Sequence, residues 1–170
     1  MMSTVIWYKG KLYSDSRVTN DLLNTETGDL VDRIIGKGKK LFRHPKKNKI
    51  YGVTGTLEGF ADFKSRGYKG SLRWGTESSS KTLVIEWDGE HLIGWVYKEK
   101  YIKWLRIYIS KFVKTKYNWK DAPEFKISMG SGTEYASEML DYGCSIREAI
   151  QYASDRDEYT DDEVVTLELE

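Results

Sequence analysis

The residue best suited to catalytic chemistry is a hydroxyl residue close to the start of the chain. The sequence begins Met1-Met2-Ser3 and runs directly into strand-forming residues. Once both methionines are removed, Ser3 holds a hydroxyl nucleophile and a free α-amine on one residue. An α-amine has an ordinary pKa of about 7.7–8.0, so it can accept the hydroxyl proton near neutral pH. Ser3 therefore predicts nucleophilic catalysis in which one residue supplies both the nucleophile and its base.

Short strands must position this terminus. Four segments in the first third of the chain are expected to form strands, at 3–9, 11–18, 39–44 and 49–54, the last two joined by a turn through His44-Pro45. Lys9-Gly10 turns the first pair into a hairpin, which the run Asp15-Ser16-Arg17-Val18-Thr19 closes. Residues 20–36 are polar and are expected to be irregular. A short helix is expected at 57–63.

The rest of the chain predicts a hairpin, two late helices and a final strand. Asp88-Gly89 is a strong turn signal between strands at 82–87 and 91–97. Residues 101–113 fit either a strand or a helix. The remaining elements are a strand at 124–129, a helix at about 133–142, a helix opened by the capping box Ser145 to Glu148, and a strand at 164–169. Strands at both ends with late helices predict α+β layers.

Composition predicts one soluble domain in a reducing compartment. The 170 residues are 39% hydrophobic and 31% charged, and no run reaches the roughly 18 apolar residues of a membrane span. No signal peptide is visible, and the single Cys144 excludes an intrachain disulfide framework. We therefore expect a cytoplasmic protein. His44 and His91 have no partners at metal-site spacing, so neither a metal nor another cofactor is expected.

The charges are unevenly distributed although the net charge is only +1. Basic residues concentrate in 37–49 and 98–120, and acidic residues in 155–170. Complementary charges within the chain or between subunits account for this pattern best. Contact with nucleic acid through the basic and aromatic segments is the other interpretation, and it requires salt-dependent binding.

Six motifs in order resemble the proteasome β-subunit and HslV-type N-terminal-nucleophile hydrolases. They are Ser3-Thr4-Val5-Ile6, Tyr13-Ser14-Asp15-Ser16-Arg17-Val18-Thr19, Lys39-Lys40-Leu41, Val53-Thr54-Gly55-Thr56, Met129-Gly130-Ser131-Gly132-Thr133-Glu134-Tyr135-Ala136 and Arg156-Asp157-Glu158-Tyr159-Thr160-Asp161. The resemblance implies a single domain over 1–170 with the four-layer αββα sandwich of that family, two antiparallel sheets between helices. Residues 98–123 look like an insertion into it.

The resemblance also implies a role for each matched residue. Ser3 falls on the terminal nucleophile, Lys40 on the lysine beside it, and Asp15 on the aspartate that orients this lysine. Beside Asp15, Lys40 is expected to remain charged. Gly55 falls on the backbone donor of the oxyanion hole. The polar group supporting the terminal amine is matched by Ser131, Asp157 and Thr160.

Two choices of register stay open. Ser3 is preferred to Thr4 because strand parity would put Ser3 and Asp15 on the same side and turn the Thr4 hydroxyl away. Lys39 replaces Lys40 if its strand slips by one residue. Exposure of Ser3 is expected to depend on where translation starts. If it starts at Met2, removal of that methionine exposes Ser3 directly. If it starts at Met1, Met2 follows, and the chain is a poor substrate for methionine removal.

The implied function is peptide-bond hydrolysis by a homo-oligomer that acts on peptides or unfolded proteins, with an ATPase unfoldase as a possible partner. The alternative is a catalytically inactive member used for binding or assembly. The chain departs from the family pattern in lacking a second long helix in its first half and in carrying Asp161-Asp162 in place of the usual glycines. Ring stacking and ATPase docking in the family depend on the first-half helices, so their shortening argues against a standard stacked ring.

Overall fold

The computed structural model describes residues 4–55, 81–90, 92–102, 105–113 and 126–170. Within them the chain forms eleven strands and two helices. The strands are β1 Val5–Tyr8, β2 Lys11–Ser14, β3 Arg17–Leu23, β4 Leu30–Lys37, β5 Leu41–Arg43, β6 Ile50–Thr54, β7 Lys81–Trp87, β8 Leu92–Ile102, β9 Leu105–Val113, β10 Lys126–Met129 and β11 Val165–Glu168. The helices are α1 Thr133–Asp141 and α2 Ile146–Ser154. None of the helices in these ranges has the length and apolar character to cross a bilayer.

The strands form three antiparallel sheets. The first has the order β10-β1-β2-β11, the second is the ribbon β3-β4, and the third runs β5-β6-β7-β8-β9. β1 and β2 turn at Lys9 and Gly10, which both have positive φ (49° and 76°). That backbone conformation matches the twist of a tight hairpin, so the local sequence explains this turn.

Alternation along β1 sends its side chains into two different cores. Val5 and Trp7 pack toward the five-stranded sheet, where the Trp7 and Trp87 rings meet edge to face with centroids 5.1 Å apart. Ile6 points the other way and packs against Ala149 and other apolar residues of the two helices. The four-stranded sheet therefore lies between the helices and the five-stranded sheet, and β1 is buried on both faces.

The α+β class predicted from the sequence is confirmed. Ser145 accepts a hydrogen bond from the Glu148 N–H at 3.2 Å, and the Glu148 carboxylate accepts one from the Ser145 N–H at 3.1 Å, so α2 begins with the expected capping box. The segment 101–113 forms the end of β8 and all of β9. The helix expected at 57–63 lies outside the described residues, so a fourth, helical layer stays a prediction.

The expectation that residues 20–36 are irregular is wrong. β3 and β4 pair from Arg17 opposite Lys37 to Leu23 opposite Leu30. Their pattern escaped detection because β4 is exposed along most of its length, so no single face shows the apolar alternation of a half-buried strand. Cross-strand pairing instead supports the ribbon, including the ion pair of Arg33 with Asp21 at 2.6 Å.

Candidate functional site

A wholly buried ion pair marks the site. Asp15 comes directly after β2 and Lys40 directly before β5, and Lys40 Nζ lies 2.6 Å from Asp15 Oδ1. Both side chains are 0% exposed. Backbone N–H groups complete the carboxylate's partners: Thr4 donates to Oδ1 at 3.0 Å, and Arg17 and Asp161 donate to Oδ2 at 3.1 Å. Four donors hold the carboxylate in one orientation, which in turn positions the ammonium group.

Burial dominates the protonation of both partners. Desolvation raises the pKa of Asp15 despite the opposing effect of Lys40. Desolvation likewise lowers the pKa of Lys40 despite the opposing effect of Asp15. The expectation that Lys40 simply stays charged considered its partner and left out the loss of water. Burial thus makes the Lys40 ammonium easier to deprotonate than an exposed one, while the Asp15 carboxylate beside it favours its charged form.

A second polar cluster forms from three residues of the C-terminal half. Asp157 Oδ2 accepts hydrogen bonds from Ser131 Oγ and from Thr160 Oγ1, each at 2.6 Å. Ser131 lies just before α1, whereas Asp157 and Thr160 lie in the turn after α2, closed by the Thr160 N–H donating to the Asp157 carbonyl at 3.1 Å. The structure thus brings together all three residues that the sequence analysis assigned to one polar group.

Thr4 connects the two clusters. Its N–H donates to Asp15, and its Oγ1 lies 3.0 Å from Thr160 Oγ1. Gly132 leaves room for this hydroxyl, because a Cβ at that position would overlap Thr4 Oγ1 and come within 2.9 Å of Thr160 Oγ1. Polar contacts therefore run from Lys40 through Asp15 and Thr4 to the second cluster.

The register corrects the parity argument for the nucleophile. Val5 lies opposite Ser14, and the Asp15 N–H donates to the Thr4 carbonyl at 3.3 Å, so the residue across from Asp15 is Thr4. Counting strand parity between Ser3 and Asp15 was therefore wrong. The Thr4 hydroxyl is engaged with Thr160, and the Thr4 nitrogen with Asp15. Ser3 itself lies outside the described residues.

The structure also separates Lys40 from Lys39 and places Gly55. Lys39 is exposed, with its ammonium 5.9 Å from the centroid of the Phe42 ring, so Lys40 is the lysine brought to Asp15. Gly55 follows β6 with a φ of 134°. β6 runs beside Lys40, since the Val53 N–H donates to the Lys40 carbonyl at 2.9 Å. Gly55 therefore lies two residues beyond a direct partner of Lys40.

Sequence reasoning missed the role of Asp161. It treated this aspartate as a departure from the family pattern, but the carboxylate accepts from the Ser16 N–H at 2.9 Å and from Ser16 Oγ at 2.7 Å. The Asp161 N–H meanwhile donates to Asp15. Asp161 thus clamps the loop that carries Asp15. Ser16 and Asp161 are 145 positions apart, so no local spacing could have indicated the contact.

Comparison with known proteins adds no assignment. No model of a known protein family matches the chain, and no curated protein matches it. Across the ranges that the structure describes, the His, Cys, Asp and Glu side chains form no group of three or more able to hold a metal ion. The features that bear on function are therefore the Lys40–Asp15 pair, the Asp157 cluster and Thr4, which joins them.

Proposed function

We propose that this chain is an N-terminal-nucleophile peptidase resembling HslV and the proteasome β-subunit, with the four-layer αββα fold of that group. Ser3, freed of both methionines, is the nucleophile. The observation that carries the proposal is the buried Lys40–Asp15 pair, connected through Thr4, near the chain start, to the cluster of Ser131, Asp157 and Thr160. An isolated buried ion pair is costly, so its presence beside a hydroxyl-rich terminus favours a functional role.

Covalent continuity supports the choice of Ser3. Consecutive Cα atoms are about 3.8 Å apart, so the residue bonded to the Thr4 nitrogen cannot be far from that nitrogen. The Thr4 nitrogen is itself 3.0 Å from Asp15 Oδ1. The proposal puts the Ser3 α-amine and hydroxyl next to Thr4, whose own contacts are with Asp15 and Thr160.

The proposed reaction begins with attack of Ser3 Oγ on a peptide carbonyl. The α-amine accepts the hydroxyl proton as the new C–O bond forms, and the carbonyl oxygen becomes an oxyanion. The amine then delivers that proton to the departing amine as the C–N bond breaks, which leaves an ester on Ser3. Water, deprotonated by the same amine, attacks the ester and releases the carboxylic acid and the free hydroxyl.

Lys40 and Asp15 set the electrostatics of these steps. A cation near Ser3 favours the deprotonated forms of both the hydroxyl and the amine. Asp15 fixes the direction of the ammonium, and Asp157 with its two hydroxyl donors supports the terminal amine. The Gly55 N–H is proposed to donate to the oxyanion, a contribution of about 3 kcal/mol to the rate barrier in comparable sites.

The decisive test combines intact mass with turnover. A cleavable fusion that releases Ser3 as the first residue makes the free amine independent of cellular processing, and hydrolysis of casein and of fluorogenic peptides is then measured. We expect turnover from this form, its loss in Ser3→Ala, and its retention in Ser145→Ala, which alters a distant helix cap. Turnover unchanged in Ser3→Ala refutes the proposal.

A second measurement separates Ser3 from Thr4. If Ser3 is the nucleophile, a peptide epoxyketone should form a stable ring with the Ser3 hydroxyl and α-amine, found on a fragment that begins at Ser3, and chemical acetylation of the terminal amine should prevent the modification. Modification of a fragment that begins at Thr4 would assign the nucleophile to Thr4 instead.

A binding or assembly role is the second candidate. It is favoured by the apolar, exposed β3–β4 ribbon, a surface of the kind that proteins use for association. Two results together support this candidate over the peptidase: the purified chain retains both methionines, and the separately prepared form that begins at Ser3 shows no turnover.

A further inference from the structure

The β3–β4 ribbon is fastened to residues 155–164, which connect α2 to β11 and which we call the site loop. At the start of β3, Arg17 Nη1 donates to the Glu158 carbonyl at 2.9 Å. At the end of β4, Lys37 pairs with Glu163. Between these ends, Arg33 Nη1 lies 2.6 Å from Glu158 Oε2. The ribbon therefore holds the same loop that contributes to the second polar cluster.

Arg33 is the centre of these contacts, and its side chain is only 19% exposed. It binds both oxygens of Asp21, from Nε at 2.6 Å and from Nη2 at 3.1 Å. Nη2 also donates to the Tyr159 hydroxyl at 3.3 Å, and that hydroxyl donates to Asp21 Oδ2 at 3.2 Å. The guanidinium carbon lies 5.0 Å from the centroid of the Tyr159 ring, within cation–π range. Arg33 thus holds two consecutive residues of the site loop, Glu158 and Tyr159.

The residues next to this grip belong to the candidate site. The Tyr159 N–H donates to Asp157 Oδ1 at 3.3 Å, and Thr160 Oγ1 donates to Oδ2 of the same carboxylate at 2.6 Å. One position further, the Asp161 N–H donates to Asp15 Oδ2 at 3.1 Å. A displacement of Tyr159 would therefore move hydrogen-bond donors on both site carboxylates.

The strength of the Arg33 contacts lies in their combination. A single exposed ion pair contributes little, because water screens it and side-chain entropy opposes it. Arg33 instead joins a two-point carboxylate contact, a second carboxylate and an aromatic ring, and such a charged network holds geometry more firmly than an isolated pair. The outer side of the loop needs this support, since Asp155, Arg156 and Glu158 are exposed.

We propose that Arg33 is a positioning residue that couples the β3–β4 ribbon to the candidate site. It acts through Glu158 and Tyr159, and the groups that it positions are the Asp157 carboxylate and the Thr160 hydroxyl. The effect on the loop stands on these contacts alone, whereas the effect on turnover rests on the proposed peptidase function.

Hydrogen exchange of individual amides in the full chain tests the effect on the loop. In Arg33→Gln, the Thr160 and Asp161 amides should exchange at least about tenfold faster, and the rise should be larger there than in β1 or α2. Glu158→Gln should act in the same direction but less, because the contacts of Arg33 with Tyr159 remain. Adding Glu158→Gln to Arg33→Gln should add nothing, since both changes remove one contact. Arg147→Gln, which alters an exposed arginine on α2, is the matched control.

Turnover by the form that begins at Ser3 tests the effect on the site. Arg33→Gln should lower kcat at least about tenfold, because a misplacement of about 1 Å at a site can cost about a hundredfold in rate. KM should change less than about twofold, since the positioned groups support the terminal amine, and Arg147→Gln should change neither constant. Arg33→Lys, which keeps the charge but loses the planar fork, should lie between Arg33→Gln and the parent chain.

The two measurements separate failure of this inference from failure of the peptidase proposal. Loop amides that exchange in Arg33→Gln as in the parent chain overturn the inference, and so does a rise of equal size in β1. An unchanged kcat in Arg33→Gln, with an active parent, overturns the inference and leaves the peptidase intact. A parent without turnover contradicts only the peptidase, and hydrogen exchange then decides whether Arg33 positions the loop.

Discussion

Replacing Lys40 with methionine is the sharpest perturbation of the site. Methionine fills a similar volume but removes the charge, which leaves the Asp15 carboxylate buried at 0% exposure with only its backbone donors. Breaking one side of a buried pair costs about 3–5 kcal/mol. Against the total of about 5–15 kcal/mol that stabilises a typical protein, this is a large fraction. It corresponds to a fall in Tm on the order of 10 °C for a chain of this size.

The loss should depend on pH with a definite sign. Burial already raises the folded-state pKa of Asp15, and removing Lys40 takes away the largest effect that opposes this rise. Below its ordinary pKa, Asp15 is protonated in both the folded and unfolded states and its charge costs nothing. As pH rises through the raised folded-state pKa, the charged form must be buried and the destabilisation becomes complete. The loss in Lys40→Met should therefore be larger at about pH 8 than at about pH 5.

Urea unfolding at both pH values measures this effect. Lys39→Met is the matched control, because Lys39 is exposed and adjacent in sequence; it should change the free energy of unfolding by less than about 0.5 kcal/mol. Adding Asp15→Asn to Lys40→Met removes the unpaired charge and should recover at least about 1 kcal/mol. A loss below about 1 kcal/mol that is equal at both pH values is what a solvated pair would give, and it would refute the reasoning.

Two further predictions concern the packing around Thr4 and the root of the ribbon. Gly132→Ala should lower stability by about 1–3 kcal/mol in thermal unfolding, because its methyl group overlaps the Thr4 hydroxyl; Gly36→Ala, with open space around it, is the control, and equal effects would contradict the packing argument. Arg33 lowers the pKa of Asp21. Their interaction therefore stabilises the fold above the ordinary aspartate pKa, and this stabilisation is lost as pH falls through the lowered value. Arg33→Met should therefore flatten the acid limb of the stability profile below about pH 4, and an unchanged limb would contradict the assignment.

Local sequence signals predicted much of the fold. The turn at Lys9 and Gly10 and the capping box at Ser145 each involve residues within a few positions of one another, and both form as expected. The β3–β4 ribbon was missed because its support comes from a cross-strand ion pair and from Glu158, neither of which creates a periodic apolar pattern. Short-range signals identify an element only when that element's own neighbours stabilise it.

The site was predictable as a set of residues but not as a geometry. The order of the motifs predicted Asp15 and Lys40 as site residues, and the structure brings them together. Sequence could not show that Asp161 clamps the Asp15 loop, nor that Gly132 must make room for Thr4. Both contacts join distant parts of the chain. They depend on how the loop after α2 packs against the end of β2. These two segments are too far apart along the chain for a local sequence pattern to reveal their contact.

The amino-acid order by itself determined the turns, the helix starts and the alternation that gives β1 two buried faces, because each depends on residues close along the chain. Only the tertiary structure decided the chemical character of the site. Asp15 and Lys40 are 25 positions apart, and Thr4 and Thr160 are 156 apart. Packing excludes water from the first pair, which raises the pKa of Asp15 and lowers the pKa of Lys40. Desolvation is a property of everything that surrounds a group, so the lowered pKa of Lys40 exists only in the folded molecule.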